Sequence, residues 1–547
     1  MSRSYACAEA VVATLLAGGV TDLVLAPGSR SAPLALAAHA AQAAGRLRLH
    51  VRVDERSAGF LALGLAKVSG RVVPVVTTSG TAVGNLLPAV MEAHHSRVSL
   101  LVVSADRPAD LVGTGANQTT VQPGIFGVFV RGERAVDAAD RPMTWAETVT
   151  AAVSTASGGQ NGYPGPVHLN LALPEPLVPD DPEGDWGRKR LQLEVPEPAV
   201  EAGFEPVVLD AAPPTVVVAG DASPSEGARA RAFAEAAGLP LLAEPSSNAR
   251  GGTNALRCGR LLLGTELADQ VQRVVMFGHP TLSRPVTRLL TRTDVELVVV
   301  GSGPDLPNPG RHATLTAKAV TSAPNTAQQP RWLAAWLAAD QACGRRLDGL
   351  LAGLSYVSGP AVAEAVVRGT GEGILALGNS MAIRDADLAP ILTKPATVYA
   401  NRGLSGIDGT VSTAVGLSLG SGWPVTLLCG DLSFVHDING LAIGPGEPRP
   451  ALRVVVADDA GGAIFTTLEY GQARFADSFE RVFATPTGID PVTLASAYGV
   501  PARRLGGLVE LRDALAVPVR GLEVLVVGVD RAQRRELSDA VAHCVDG

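Results

Sequence analysis

A chain of 547 residues is too long for one hydrophobic core and calls for two to four domains. Hydrophobic residues make up 46% but aromatics only 4%, so the apolar mass is Ala, Val and Leu, suited to helices packed closely on parallel strands. A net charge of −8 with no basic tract argues against nucleic-acid or anionic-membrane partners, and five scattered cysteines without a CxxC pair argue against disulfide and cysteine–zinc scaffolds and fit a reducing cytoplasm.

At the N-terminus Glu9 interrupts the apolar stretch after Arg3, so this segment reads as the start of a domain rather than a signal peptide. No apolar run approaches the ~20 residues of a membrane span. Short β-rich runs then alternate with Ala-rich helical stretches, the pattern of parallel α/β sheets flanked by helices. The first set of strands is DLVLAP, LHVRVD, VVPVVTT and SLLVVSA. A second set follows, PTVVVAG, RVVMFG and VELVVVG, and a third, GILALG, ATVYAN, VTLLCG, LRVVVAD and LEVLVVGVD. Two proline-rich stretches, PEPLVPDDPEGDW and GSGPDLPNPGRHA…TSAPNTAQQP, read as linkers. Three α/β domains are expected, at about 1–185, 200–325 and 345–547. The first and third share one rhythm of strand, charged turn, small-residue helix, Gly-containing turn and acidic turn, and so look like copies of each other. Such sheets bind ligands at their C-terminal strand ends.

In the third set, VTLLCG ends at Gly430 and Asp431, and the next strand ends at Asp458 and Asp459 followed by Gly461 and Gly462. Adjacent parallel strands would bring these acids to one sheet edge. Two carboxylates and a carbonyl freed by a glycine turn make half of an octahedral shell, which Mg²⁺ completes with phosphate oxygens and water. Ser433 and the N–H groups opening the following helix suit those phosphates. The joint pattern resembles the GDG…NN metal–diphosphate motif of thiamine diphosphate enzymes, with Leu432 in place of the second Gly and Asp458-Asp459 in place of Asn-Asn. By that resemblance Asp431, Asp459 and the Gly461 carbonyl hold Mg²⁺ or Mn²⁺, while Asp458 turns toward backbone N–H groups. The resemblance also assigns the catalytic role to Glu55 in VDERSAGF. A glutamate at this place hydrogen-bonds the cofactor's aminopyrimidine ring and favours the tautomer that removes the thiazolium proton.

The wider chain is similar to the family of 2-succinyl-5-enolpyruvyl-6-hydroxy-3-cyclohexene-1-carboxylate (SEPHCHC) synthases, the MenD family of menaquinone biosynthesis. The stretches that carry this are APGSRSAPLALA, VDERSAGFLALGLAKVSG, TSGTAVGNLLPAVMEA, SADRP, GTGANQTT, LGNSMAIRD, NRGLSGIDGTVSTA and GDLSFVHD. The resemblance implies a transferase that decarboxylates 2-oxoglutarate and adds the succinyl carbanion to isochorismate in a 1,4 fashion. It also implies a homo-oligomer, at least a dimer and up to a tetramer, with shared active sites.

Both substrates carry two carboxylates, and arginines suited to bidentate binding follow strands at Arg30, Arg107, Arg384 and Arg402. By resemblance Ser29, Arg30, Arg107, Asn117 and Gln118 face isochorismate, Arg402 binds a substrate carboxylate, and Arg284 is a further candidate. Ser380 and Arg384 lie by the diphosphate, with Ser405 and Gly406 beside the cofactor. Ile407 is the apolar wedge under the bent cofactor, and Ile464 and Phe465 close over the substrates. His94, His95 and His436 are expected to be surface or satisfied histidines. Two alternatives stay open: an acetolactate synthase-like decarboxylase or ligase, which leaves the arginines unexplained, and a non-catalytic protein of the same fold.

Overall fold

A computed structural model of the chain describes residues 2–159, 162–179, 205–323 and 329–546. The first expected linker from Asp180 onward, and residues 324–328 of the second, lie outside the described residues. The chain divides into two compact units. One comprises Met1–Glu201, Asp408–Trp423 and His436–Ala451; the other comprises Ala202–Ile407, Pro424–Val435 and Leu452–Gly547.

The first unit is built on six parallel strands in the spatial order Arg48–Val51, Asp22–Leu25, Val73–Thr77, Leu100–Asp106, Val167–Ala172, Gly132–Asp137. Its central strands are buried on both faces, as expected where helices cover a parallel sheet. One core joins Leu23, Leu25, Val76, Leu101, Val103 and Leu169 to the helices Arg3–Ala17, Ala32–Ala43 and Pro142–Ala156. Helix Glu55–Ser69 packs against helix Thr410–Ser421, and small residues set the approach. A Cβ at Gly64 would overlap the Thr413 carbonyl, and one at Gly416 would overlap that of Leu61.

Among the described residues the second unit holds three parallel sheets, the smallest a two-stranded pairing of Val207–Leu209 with Val320–Ser322. The five-stranded sheet runs Leu315–Ala317, Glu296–Val300, Arg273–Phe277, Thr215–Ala219, Leu241–Ala243. Helix Gln329–Ala352 lays Trp332 and Trp336 into its core with Val216, Val274 and Leu297, and the Trp332 indole donates to the Thr215 carbonyl at 2.8 Å. The six-stranded sheet runs Thr397–Ala400, Ile374–Leu377, Val425–Gly430, Leu452–Asp458, Leu522–Gly528, Ala502–Leu505. Counted in chain order, both six-stranded sheets have the order 2-1-3-4-6-5. The chain is thus α/β, with parallel sheets flanked by helices. Among the described residues no helix is long and apolar enough to cross a membrane.

Candidate active site

In the second unit, strand Val425–Gly430 pairs with Leu452–Asp458 in a register that sets Gly430 opposite Ala457. The residues after each strand therefore emerge together, and the helix Asp431–His436 begins at the first acid. The Oδ1 atoms of Asp431 and Asp459 are buried without a hydrogen-bond partner. Burial pushes the Asp431 carboxyl up to about 6, against the N–H groups of Leu432 and Gly461 that favour its charge. Burial and then the negative charge of Asp431 push Asp459 up to about 8. Two buried acids facing each other are costly unless a cation joins them. Asp458 has a separate partner: it accepts from the Arg504 guanidinium at 2.8 Å and from the Ala460 N–H at 3.2 Å. The expected backbone contact is present, and an ion pair accompanies it.

Asp431 and Asp459 line one cleft with Gly430, Leu432, Ser433, Gly461, Gly462, Ser380, Ile407, Ile464 and Phe465. Ser380 sits at φ 68° and Gly461 at φ 145°, where a Cβ would meet the Ala484 carbonyl. Among the described residues no group of three or more His, Cys, Asp or Glu side chains is placed to hold a metal ion by itself. A divalent ion here would thus use two carboxylates, the Gly461 carbonyl (which accepts one N–H from Ala463 at 3.2 Å) and oxygens from outside the protein. The donor set fits Mg²⁺ with a diphosphate.

Arg402 is 1% exposed and donates to Asn379 Oδ1 at 2.8 Å and Thr281 Oγ1 at 2.7 Å. Asn379 lines the cleft and donates to the carbonyls of Asn401 and Gly406, which locks the Asn401–Gly406 turn, with Ser405 at φ 61°, to the strand end before Ser380. Arg384 donates to the Ser380 carbonyl at 2.7 Å; burial and the neighbouring Arg402 charge depress its pKa. Arg284 is largely exposed and pairs with Glu469 at 2.9 Å. It does not line the cleft. Arg531 and Arg534, which follow the last strand, do line it and favour the charge on Asp459. Sequence reasoning passed over both, although they obey the same arginine-after-strand rule as the four it named.

In the first unit Asp54 caps helix Glu55–Ser69 by accepting the N–H groups of Arg56 and Ser57, which anchors the first turn. Asn439 donates to the other oxygen of Asp54 at 2.8 Å, and Arg56 donates to the His436 carbonyl. Glu55 is left half-buried, with its carboxylate accepting from Asn85 at 3.3 Å. A second cluster gathers at the strand ends of this sheet. Arg107 donates to Ser79 Oγ and the Gln118 carbonyl, Gln118 returns a bond to the Ser79 carbonyl at 2.8 Å, and Arg30 donates to the Leu173 carbonyl at 2.9 Å beside Ser29. Burial and the nearby Arg107 charge depress the Arg30 pKa, so two cations share this place. Asn117 lies exposed on the same loop. Gln122, fully buried, ties that loop to the sheet through the Gly80 N–H and Asn170, a support that only the folded chain reveals.

Residues 6–125 match the family described as "Thiamine pyrophosphate enzyme, N-terminal TPP binding domain". The chain is 48% identical to a SEPHCHC synthase of Nocardioides sp., with 98% of this chain and 97% of the relative covered. The chain belongs to the SEPHCHC synthase family. Synthases of this name from Paenarthrobacter aurescens (46% identical, 99% and 97% covered) and Kineococcus radiotolerans (48%, 98% and 98%) are similarly close. As a member of this family it is a thiamine diphosphate-dependent transferase, and its first unit carries the matched cofactor-binding domain.

Proposed function

We propose that the chain converts 2-oxoglutarate and isochorismate to SEPHCHC with loss of CO2, using thiamine diphosphate and Mg²⁺ (or Mn²⁺), in the cytoplasm. The observation that carries this reading is the cleft in which Asp431 and Asp459 present partnerless buried oxygens beside Ser380 and Ile407. When bound, the cofactor supplies the electron sink for decarboxylation and for carbon–carbon bond formation.

The chain's own residues hold, orient and exclude water. Asp431, Asp459 and the Gly461 carbonyl would take the metal. Ser380, Arg384, Gly430, Leu432, Ser433 and Gly462 would surround the diphosphate, and Ile407 with Ser405 and Gly406 would support the ring system. Glu55 would hydrogen-bond the aminopyrimidine. Arg402 would bind a substrate carboxylate, while Ser29, Arg30, Arg107, Asn117 and Gln118 would bind isochorismate. Ile464 and Phe465 would cover the substrates, and Arg284 is a further candidate for binding them. We assign these roles within domains at about 1–185, 200–325 and 345–547. By its resemblance to the family, a homodimer or tetramer whose chains share each site is part of the proposal.

Protein incubated with thiamine diphosphate, Mg²⁺, 2-oxoglutarate and isochorismate should consume isochorismate, and Glu55→Gln should reduce that rate by at least ~100-fold. Consumption that needs no 2-oxoglutarate, or that Glu55→Gln leaves unchanged, contradicts the reading.

A further inference from the structure

The five-stranded sheet carries none of the cofactor motifs, yet its strand ends reach the arginine proposed to hold a substrate carboxylate. Glu244 follows strand Leu241–Ala243 and is 6% exposed. Its carboxylate accepts the Thr281 N–H at 3.0 and 3.2 Å and the Leu282 N–H at 2.8 Å. Thr281 lies beyond strand Arg273–Phe277 of the same sheet, which Thr215–Ala219 separates from Leu241–Ala243, and its Oγ1 accepts from Arg402 Nη2 at 2.7 Å. The other Arg402 terminal nitrogen is held by Asn379 at 2.8 Å, while its Nε is buried with no partner. Four residues on from Glu244, Asn248 docks on the edge strand that leads to Arg402. Its Oδ1 accepts the Val398 N–H at 2.9 Å and its Nδ2 donates to the Val398 carbonyl at 3.0 Å, as a further strand would. Glu244 thus holds a loop whose hydroxyl holds Arg402, and the Arg402 charge favours the ionised form of Glu244.

We propose that Glu244 and Thr281 are positioning residues for Arg402, so that the five-stranded sheet sets the affinity for the carboxylate of one of the two substrates. This rests on the functional reading above. An amide in its place offers one oxygen instead of two, so its NH2 group is set against at least one of the Thr281 and Leu282 N–H donors that the carboxylate accepts. The loop then moves and Arg402 loses its Thr281 acceptor. A guanidinium with a free Nε and a displaced terminal nitrogen binds a carboxylate less well, whereas the reacting atoms held elsewhere are untouched.

The test is steady-state kinetics of the full-length protein with saturating thiamine diphosphate and Mg²⁺, varying each substrate in turn. Arg402→Lys identifies which substrate's KM depends on this arginine. Glu244→Gln and Thr281→Val should raise the KM for that same substrate by roughly 10- to 150-fold, with kcat within about threefold, as expected for a lost hydrogen bond to a charged group. Thr281→Ser keeps the hydroxyl and should retain the wild-type KM. Thermal melting of Glu244→Gln and Thr281→Val reports on folding in parallel. Wild-type KM values in both variants while Arg402→Lys raises one, or a KM rise in Thr281→Ser equal to that in Thr281→Val, overturns the positioning role. A wild-type protein that turns over neither substrate overturns the functional reading instead.

Discussion

The two adjacent acids that end strand Leu452–Asp458 have different fates. Asp458 is neutralised by Arg504, whereas Asp459 faces Asp431 with a bare buried oxygen. A carboxamide at 459 keeps an oxygen ligand, and a methyl does not. Asp459→Asn should therefore retain activity within about tenfold, while Asp459→Ala should raise the Mg²⁺ concentration for half-maximal activity by at least ~10–100-fold. Equal Mg²⁺ dependence in the two variants contradicts the ligand assignment. Glu244 offers a test in the protein without ligands. Burial raises its carboxyl from the ordinary 4.5 to about 7, even though Arg402 and the Thr281 and Leu282 N–H groups favour its charge and Asp387 opposes it. The unfolded chain gives up this proton first, so the group's contribution to stability falls as pH rises from about 4.5 to 7, by about 3 kcal/mol in all. Urea unfolding should show Glu244→Gln gaining on the wild type between pH 5 and pH 8. A difference that does not change with pH contradicts the buried, raised carboxyl.

Among the elements, the helix pair Glu55–Ser69 and Thr410–Ser421 depends on absent side chains. Gly64→Ala gains up to about 1 kcal/mol of helix propensity but drives a Cβ into the Thr413 carbonyl, and overpacking of this kind costs about 1–3 kcal/mol. The clash should win, lowering the urea midpoint; a raised midpoint would show that the helices separate freely. The twelve strands named from the sequence are all strands, because buried parallel strands are continuous apolar runs. Those passed over hide for physical reasons. Val167–Ala172 is buried but carries His168 and Asn170, which bond to Ser104 inside the sheet. Gly132–Asp137 and Ala502–Leu505 are sheet edges with exposed charged residues, and Val207–Leu209, Leu241–Ala243, Leu315–Ala317 and Val320–Ser322 are each three residues long. The metal-site acids were legible because a strand that ends in carboxylates is anomalous on its face. Glu244 was not, since its significance depends on Thr281 and Arg402, which only folding brings to it.

For the whole molecule, two six-stranded sheets of one topology present their strand ends in two units, with Glu55 in one and Asp431 with Asp459 in the other. If chains share each site, a mixture of Glu55→Gln and Asp431→Ala proteins should regain activity. A mixed dimer has one site with both lesions and one with neither, so equal amounts that exchange freely should recover roughly a quarter of wild-type activity. No recovery after demonstrated subunit exchange contradicts sharing. The central claim is that this fold joins 2-oxoglutarate, less its C1 carboxyl, to isochorismate. Mass spectrometry of the product formed from uniformly ¹³C-labelled 2-oxoglutarate and unlabelled isochorismate tests it most directly. One product is expected, carrying every labelled carbon except that of the carboxyl released as labelled CO2. Labelled CO2 accompanied only by a product without the isochorismate skeleton would contradict it.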